Sequence, residues 1–324
     1  MLVTSPGSPA PAEPFRNLVV GIDLSAADRL ADTGPLGAAS AVALDRAVSL
    51  AAGGGHIHLL TAIDVDPFAE TIIARSGGGG RPSILDQARR SLESAAKAAR
   101  DAGAQATCEV VLGHATETLL ADAQKNRRDL VVVGTRERST LARNLLGSTA
   151  LALLRRCPAP VWIARRAERA EKVVLAAIAL GDLAIPVLRA AQAVARRSGA
   201  ALHVLHVVDL PAAAVLRAGA ADREAVEWYR RERRVRAEAE VPRLLTEALG
   251  PGAPLTLHLL DGETADTVLE RAKSLAADAV VMGSVKQSGV RALVLGSTAE
   301  KVLPSLDTSL LLVKPTLTAL PAHR

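Results

Sequence analysis

The sequence predicts an α/β protein that contains two tandem domains, each built on a parallel sheet. Short runs of β-branched residues alternate with helical segments along the chain, a pattern typical of parallel strands joined by right-handed crossovers. One motif occurs twice at a fixed offset. The chain of 324 residues is long enough for two domains of ordinary size, and its 49% hydrophobic content can fill two cores.

The repeated motif is a β-branched run that ends in glycine, followed by a loop and a Gly-Ser-Thr step that opens a helix. It reads VVVGTRERSTLARNLLGST at 131–149 and VVMGSVKQSGVRALVLGST at 280–298. Gly134 and Gly283 are 149 residues apart, as are Gly147 and Gly296. The identical spacing indicates an internal duplication.

The Gly-Ser step of this motif has two interpretations. Backbone N–H groups and the helix dipole at such a step favour a bound anion. The alternative is a plain strand-to-helix turn in which Ser148 and Ser297 are N-cap residues.

The first half is predicted to contain five strands separated by four helices. Each strand is a short, mostly aliphatic or β-branched run, and each helix fills the interval between two of them. The expected strands are 17–23, 56–62, 107–112, 129–134 and 160–164, and the expected helices are 36–52, 83–102, 115–125 and 147–156.

The second half repeats this order of elements. The expected strands are 172–178, 201–208, 255–260, 278–283 and 309–313, and the expected helices are 184–198, 221–248, 264–276 and 296–303. The same alternation predicts a second parallel sheet with helices on both faces.

The predicted domains occupy residues 16–166 and 172–315. The segment 167–171 joins them and is too short to separate them far. Residues 1–15 are rich in proline and lack the basic start and apolar core of a signal peptide, so we expect a disordered tail there. Residues 316–324 form a C-terminal tail.

Both halves resemble universal stress protein domains. The nucleotide signature of that family is Gly, two residues, Gly, nine residues, Gly and then Ser or Thr. Gly134, Gly147 and Ser148 match it in the first half, and Gly283, Gly296 and Ser297 match it in the second. The resemblance runs from about Asn17 to Pro315 and includes LVVGIDLS (18–25), HIHLLTAID (56–64), CPAPVWIA (157–164) and LHVLHVVD (202–209).

The resemblance implies a doubly wound, five-stranded parallel sheet in each half, as in the tandem E-type members of the family. It implies that the halves pair through their last strands. It also implies an ATP or ADP site in the first half, with Asp23 on the adenosine side, Gly134 and Gly147 close to the ligand, and Ser148 and Thr149 on phosphate.

Three positions depart from the family pattern. Glu137 and Lys286 stand where the middle glycine belongs, and Ile178 is the residue that matches Asp23 in the second half. A negative charge at Glu137 repels phosphate unless Arg136, Arg138 or Arg143 offsets it. These departures predict degenerate nucleotide sites.

Composition limits the partners and the compartment. The net charge is +5, but the arginines of WYRRERRVRAEAEVPRLL (228–245) alternate with glutamates, as on a solvated helix face, so nucleic-acid binding is not expected. The two cysteines exclude a disulfide scaffold, and we expect reduced thiols in a cytoplasmic protein. No apolar run reaches the roughly 18 residues of a membrane helix.

Catalytic signatures are missing from the sequence. It contains neither GxxxxGK[ST] nor GxSxG, and no cluster with metal-ligand spacing, so we predict no metal site. His58 and His203 are repeat-equivalent strand residues, which we assign to the core or rim. The leading hypothesis is a non-catalytic stress-response protein that acts through protein partners. The alternatives are an ATP- or ADP-dependent switch that uses the first half, and a slow ATPase with Glu137 as its base.

Overall fold

The structure is a computed structural model that describes residues 15–24, 36–64, 84–135, 146–165, 172–209, 223–284 and 295–315. Within these ranges, no helix has the length and apolar character needed to cross a membrane.

The described part of the first half forms five strands and four helices in the predicted order. They are β1 (Asn17–Gly21), α1 (Ala38–Ala51), β2 (His56–Ile63), α2 (Ile84–Asp101), β3 (Gln105–Leu112), α3 (Ala115–Lys125), β4 (Leu130–Gly134), α4 (Ser148–Arg156) and β5 (Val161–Ala164). The third strand begins two residues earlier than the predicted Thr107, because exposed Gln105 alternates with buried Ala106 on an edge strand.

The second half repeats the same order over the residues that the structure describes. Its elements are β6 (Val173–Ile178), α5 (Ala184–Ser198), β7 (Ala201–Val208), α6 (Arg223–Leu249), β8 (Thr256–Asp261), α7 (Thr264–Ser274), β9 (Ala279–Gly283), α8 (Ser297–Val302) and β10 (Ser309–Val313).

All ten strands belong to one sheet, in the order β3-β2-β1-β4-β5-β10-β9-β6-β7-β8. Strand pairs within each half are parallel, whereas β5 and β10 are antiparallel. The predicted α/β class with two doubly wound, five-stranded halves is confirmed. The last strands are hydrogen-bonded neighbours, as the family resemblance implies.

Two hydrophobic layers cover the faces of this sheet. On one face, α1, α2, α5 and α6 bury aliphatic side chains such as Leu50, Leu92, Val187 and Val241 against the strands. On the other face, α3, α4, α7 and α8 bury residues such as Leu119, Leu153, Val268 and Val302. Each layer contains residues from both halves, so the core is continuous across the β5–β10 junction.

Cationic side chains reinforce the junction from both sides. Arg165, just after β5, donates to the carbonyl oxygens of Leu303, at 3.3 Å, and Leu306 in the second half. Lys314, just after β10, donates its Nζ hydrogen to the carbonyl oxygen of Leu154 in the first half. These contacts satisfy carbonyl groups at the ends of α4 and α8, where intrahelical partners are lacking.

Both cysteines are free thiols. Cys157 is buried, and Cys108 is half-buried with its Sγ donating to Glu93 Oε2 at 3.0 Å. Burial and the neighbouring Glu93 raise the pKa of the Cys108 thiol to about 11, and burial raises the pKa of Cys157 as well. Thiols with raised pKa values are poor nucleophiles at neutral pH.

Candidate functional site

A cavity of about 210 Å³ lies at the carboxyl edge of the second-half sheet. Its walls come from the ends of β6, β7 and β9, the segment from β6 into the start of α5, the starts of α7 and α8, and one side of α6. This is the switch point of a doubly wound sheet, because the chain adds β7 and β8 on one side of β6 and then β9 on the other, and ligands bind at such points.

Glycines of the repeated motif line this cavity. Gly283 ends β9, and Gly296 precedes Ser297, the first residue of α8. A Cβ atom at Gly283 would lie 3.0 Å from the Leu183 side chain, whereas no backbone atom is that close. The three second-half residues that the sequence assigned to a nucleotide site therefore converge on one cavity.

Three charged side chains and one hydroxyl line the cavity beside its glycines. Arg233 and Arg236 reach it from α6, Asp209 from the end of β7, and Thr264 from the start of α7. Thr264 Oγ1 donates to Asp209 Oδ2 at 3.0 Å. The described lining thus carries two positive charges and one negative charge.

His206 and Ser284 are the buried polar groups of the lining. His206 Nδ1 lies 2.9 Å from the carbonyl oxygen of Ile178, which can only accept, so Nδ1 carries a hydrogen. Ser284 is 1% exposed, and its Oγ has no hydrogen-bond partner among the described residues. A buried hydroxyl without a partner is costly, and a polar ligand in the cavity would relieve that cost.

The rim beside Thr264 is held by an ion pair. Glu263 Oε2 accepts from the backbone N–H of Asp266 at 2.9 Å, and Lys301 Nζ lies 2.8 Å from Glu263 Oε1. The hydrogen bond from Lys301 lowers the pKa of the Glu263 carboxyl and raises that of Lys301. This ion pair joins the N-terminus of α7 to α8 next to the cavity.

In the first half, the equivalent edge is packed differently around Gly134. A Cβ atom there would fall 1.9 Å from the carbonyl oxygen of Ala39. The N-terminal turn of α1 therefore occupies the space beside this glycine. Gly147 is exposed and has nothing within 4 Å of its hypothetical Cβ.

Asp23 lies at this first-half edge, just beyond the end of β1. Its backbone N–H donates to Ser40 Oγ at 2.9 Å, and the residue is exposed. Gly21 pairs with Val133, so Asp23, two residues beyond β1, and Gly134, the last residue of β4, lie at the same edge of the sheet. Glu137, Lys286, Arg136, Arg138 and Arg143 lie outside the described residues.

The serine N-cap interpretation of the Gly-Ser step is wrong. The N-cap residues are Gly147 and Gly296, and neither helix has a side-chain cap hydrogen bond. Ser148 and Ser297 are the first helical residues, so each hydroxyl stands one position beyond the cap. Ser148 and Ser297 are exposed, and Thr149 is half-buried.

The match between Asp23 and Ile178 is also corrected by the sheet register. Gly21 pairs with Val133, and Ala177 pairs with Met282, which is the repeat equivalent of Val133. Ile178 therefore matches Ile22, and Ala179 matches Asp23. Thr61 Oγ1 donates to the carbonyl of Ile22 at 3.0 Å, just as His206 contacts that of Ile178. The second half still lacks the carboxylate.

Arg233 and Arg236 are the charged lining residues of α6 that sequence reasoning missed. It assigned the whole arginine-rich segment to a solvated helix face. That assignment suits Arg234, which bonds Glu238 at 3.0 Å and Asp261 at 2.8 Å. The spacing of three residues between Arg233 and Arg236 places them on one side of the helix, and this was the available signal.

One histidine pair and one histidine–glutamate contact lie on the strands away from the cavity. The rings of His203 and His258 are stacked, with Nδ1 and Nε2 2.9 Å apart, and His58 Nε2 is 3.5 Å from Glu109 Oε2. Burial, the charge of Arg271 and His203 lower the pKa of His258. Among the described residues, no group of three or more His, Cys, Asp or Glu side chains has a metal-binding arrangement.

Comparisons with known proteins agree with this architecture. The family described as "Universal stress protein family" matches residues 14–165 and 171–314. A universal stress protein of Mycolicibacterium smegmatis is 27% identical over 300 residues, which cover 86% of this chain and 96% of that protein.

Solved structures show the same fold. A universal stress protein from Archaeoglobus fulgidus has a TM-score of 0.63 at 20% identity, covering 92% of this chain and 98% of that chain. A putative universal stress protein from Pseudomonas aeruginosa has a TM-score of 0.62 at 22% identity, covering 93% of this chain and 94% of that chain.

Proposed function

Because this chain belongs to the universal stress protein family, we propose that it is a tandem stress-response regulator that binds adenine nucleotide in the cavity of its second half. It acts through protein partners rather than by catalysis. The domains that carry this function are residues 16–166 and 172–315, joined by 167–171.

The second-half cavity is the observation that carries the proposal. It lies at the switch point of the sheet and is lined by Gly283, Gly296 and Ser297, the residues of the family signature. Its volume of about 210 Å³ is below the roughly 300–1,000 Å³ of most ligand pockets. It therefore encloses part of a nucleotide and leaves the remainder at the open carboxyl edge.

This proposal places the nucleotide in the second half, whereas the sequence placed it in the first. The sequence favoured the first half because of Asp23. The contact between Gly134 and the Ala39 carbonyl disfavours it, because backbone already occupies the space that the glycine leaves.

A non-catalytic role is supported by the acidic group of the lining. Asp209 is the one acid among the described lining residues, and Thr264 donates to one of its oxygens. We assign Asp209 a binding contact with a ligand hydroxyl or amino group rather than proton transfer.

An ATP- or ADP-dependent switch in the first half is the second candidate. The specific observation in its favour is Asp23, which is exposed at the carboxyl edge with its backbone fixed by Ser40. The slow-ATPase hypothesis depends on Glu137, and unchanged turnover in Glu137→Gln would remove that base.

Calorimetry with ATP, ADP and adenosine tests the proposal, together with analysis of any nucleotide that copurifies. Two variants distinguish the halves. Ala179→Trp fills the second-half cavity from its wall, and Asp23→Ala removes the first-half carboxylate. We expect ATP binding that Ala179→Trp abolishes and Asp23→Ala preserves.

The other outcomes identify the competing hypotheses. Binding lost in Asp23→Ala but kept in Ala179→Trp would place the nucleotide in the first half. The absence of any nucleotide binding would leave a tandem scaffold that acts through its partners alone. Circular dichroism of both variants confirms that they are folded.

A further inference from the structure

The arginines of α6 differ in how they are used. Arg234 bonds Glu238 and Asp261, and Arg243 bonds Glu240 and Glu247. Arg233 and Arg236 line the second-half cavity instead, and among the described residues Arg236 interacts with Glu240 only through its charge, which helps to lower the pKa of that carboxyl. The two guanidinium groups thus line a cavity whose described lining contains one carboxylate, Asp209.

Packing fixes the backbone that carries these arginines. Ala237, which follows Arg236 and is one turn beyond Arg233, is fully buried. Val241, one further turn along the same side of the helix, is also fully buried in the layer against the sheet. The arginine side chains therefore extend from a helix that is anchored close to the cavity, and little backbone order has to be gained when a ligand binds.

The charge and hydrogen-bonding capacity of the cavity suit a polyanion. Its described lining contains the two arginines and a single carboxylate, Asp209, which Thr264 contacts. Ser284 adds a hydroxyl that is buried without a described partner. Guanidinium groups bind phosphate oxygens in a planar, often bidentate geometry, and a hydroxyl donates readily to the same oxygens.

We propose that Arg233 and Arg236 bind the phosphate groups of the ligand, so that the second-half cavity takes polyphosphorylated ligands in preference to the unphosphorylated nucleoside. The inference rests on the proposed function for the adenine portion of the ligand only. In this arrangement, phosphate recognition comes from the long helix α6, which lies outside the repeated glycine motif.

The test measures calorimetric affinities for ATP, ADP, adenosine and inorganic tripolyphosphate. The variant pair Arg233→Gln/Arg236→Gln removes both charges, and Arg233→Lys/Arg236→Lys keeps the charge but loses the fork geometry. Arg234→Gln is the matched control, because it lies between them on the same helix and bonds Glu238 and Asp261 instead.

We expect the wild-type chain to bind ATP at least tenfold more tightly than adenosine. The double Gln variant should lose at least tenfold in affinity for ATP and tripolyphosphate while its affinity for adenosine stays the same, since each charge-assisted hydrogen bond contributes appreciably to binding. The double Lys variant should be intermediate, and Arg234→Gln should match the wild type. The arginine-dependent part should also weaken as salt is raised.

Separate results decide the inference and the proposed function. Tripolyphosphate binding that requires Arg233 and Arg236, without any binding of ATP, would support the arginine assignment and contradict the adenine site. Equal affinity for ATP and adenosine, unchanged ATP affinity in the double Gln variant, or no binding of either phosphate probe would overturn the inference.

Discussion

Arg165 and Lys314 are repeat-equivalent residues, 149 positions apart, and each contacts the carbonyl that is equivalent to the one its counterpart contacts. Arg165 donates to the Leu303 carbonyl, and Lys314 donates to that of Leu154, again 149 positions away. Each half therefore places one cationic side chain against a backbone carbonyl of the other half across the β5–β10 junction, and the two contacts are related by a pseudo-twofold axis.

The buried Lys314 amine at this junction predicts an unusual pH dependence of stability. Burial lowers the pKa of Lys314 from 10.5 to about 8, and the charge of Cys157 opposes this only in part. Between pH 8 and 10.5, the unfolded chain keeps a proton that the folded chain has released, so the free energy of unfolding should rise with pH. The rise should be at most about 3 kcal/mol.

Denaturant unfolding of the wild type and Lys314→Met between pH 7 and 10.5 measures this effect, which is the difference between the two profiles. The raised pKa values of Cys108 and Cys157 act in the opposite direction in both proteins, and the difference largely removes their contribution. Parallel profiles would show that Lys314 does not titrate in this range.

The two first glycines of the repeated motif should differ in their tolerance of a side chain. Gly134→Ala places a methyl group 1.9 Å from the Ala39 carbonyl oxygen, so a backbone shift of α1 is required. We expect a loss of about 3 kcal/mol or more in the free energy of unfolding. In Gly283→Ala the methyl group lies 3.0 Å from the Leu183 side chain, which can move, and we expect a loss of about 1 kcal/mol.

Urea unfolding followed by circular dichroism compares these glycine variants. Similar losses for Gly134→Ala and Gly283→Ala would contradict the different packing of the two sheet edges.

Trp162 should be the more important of the two tryptophans for stability. It is fully buried on β5, opposite Leu311 of β10, and the Arg46 guanidinium lies 5.5 Å from its ring centroid. Trp162→Ala should cost about 3–5 kcal/mol. Trp228 is 59% exposed on α6, so Trp228→Ala should change stability by less than about 0.5 kcal/mol.

A third variant separates packing from hydrogen bonding at this position. Trp162 Nε1 has no hydrogen-bond partner among the described residues. Trp162→Phe should therefore lose less stability than Trp162→Ala, because only ring volume is reduced. Thermal unfolding of the three variants ranks the losses, and a cost for Trp228→Ala equal to that of Trp162→Ala would refute the expected order.

Most of the fold could be predicted from local patterns in the sequence. The helix expected at 221–248 extends from Arg223 to Leu249, and the strand expected at 201–208 is found there without change. Such elements are set by hydrophobic periodicity and by the glycines between them. The joining of two five-stranded sets into one sheet followed from the family resemblance alone.

The cavity could not be predicted in the same way. Arg233 and Arg234 are adjacent, equally charged and in the same helix, and only the rotation of α6 about its axis relative to β7 distinguishes their roles. That rotation is set by the burial of Ala237 and Val241 among residues distant in the sequence. The sequence matched Asp23 with Ile178, which is one residue too early, because few residue types distinguish positions at a strand end. The hydrogen-bond register of the sheet matches Asp23 with Ala179 instead.

The antiparallel pairing of β5 with β10 directs the carboxyl edges of the two halves toward opposite ends of the molecule. A side chain at one carboxyl edge therefore cannot contact a ligand at the other carboxyl edge. At one end the Ala39 backbone fills the space beside Gly134, whereas the other end has a cavity beside Gly283. A protein that covers one end of the sheet leaves the opposite end accessible, so a single chain can be occupied at both ends at the same time.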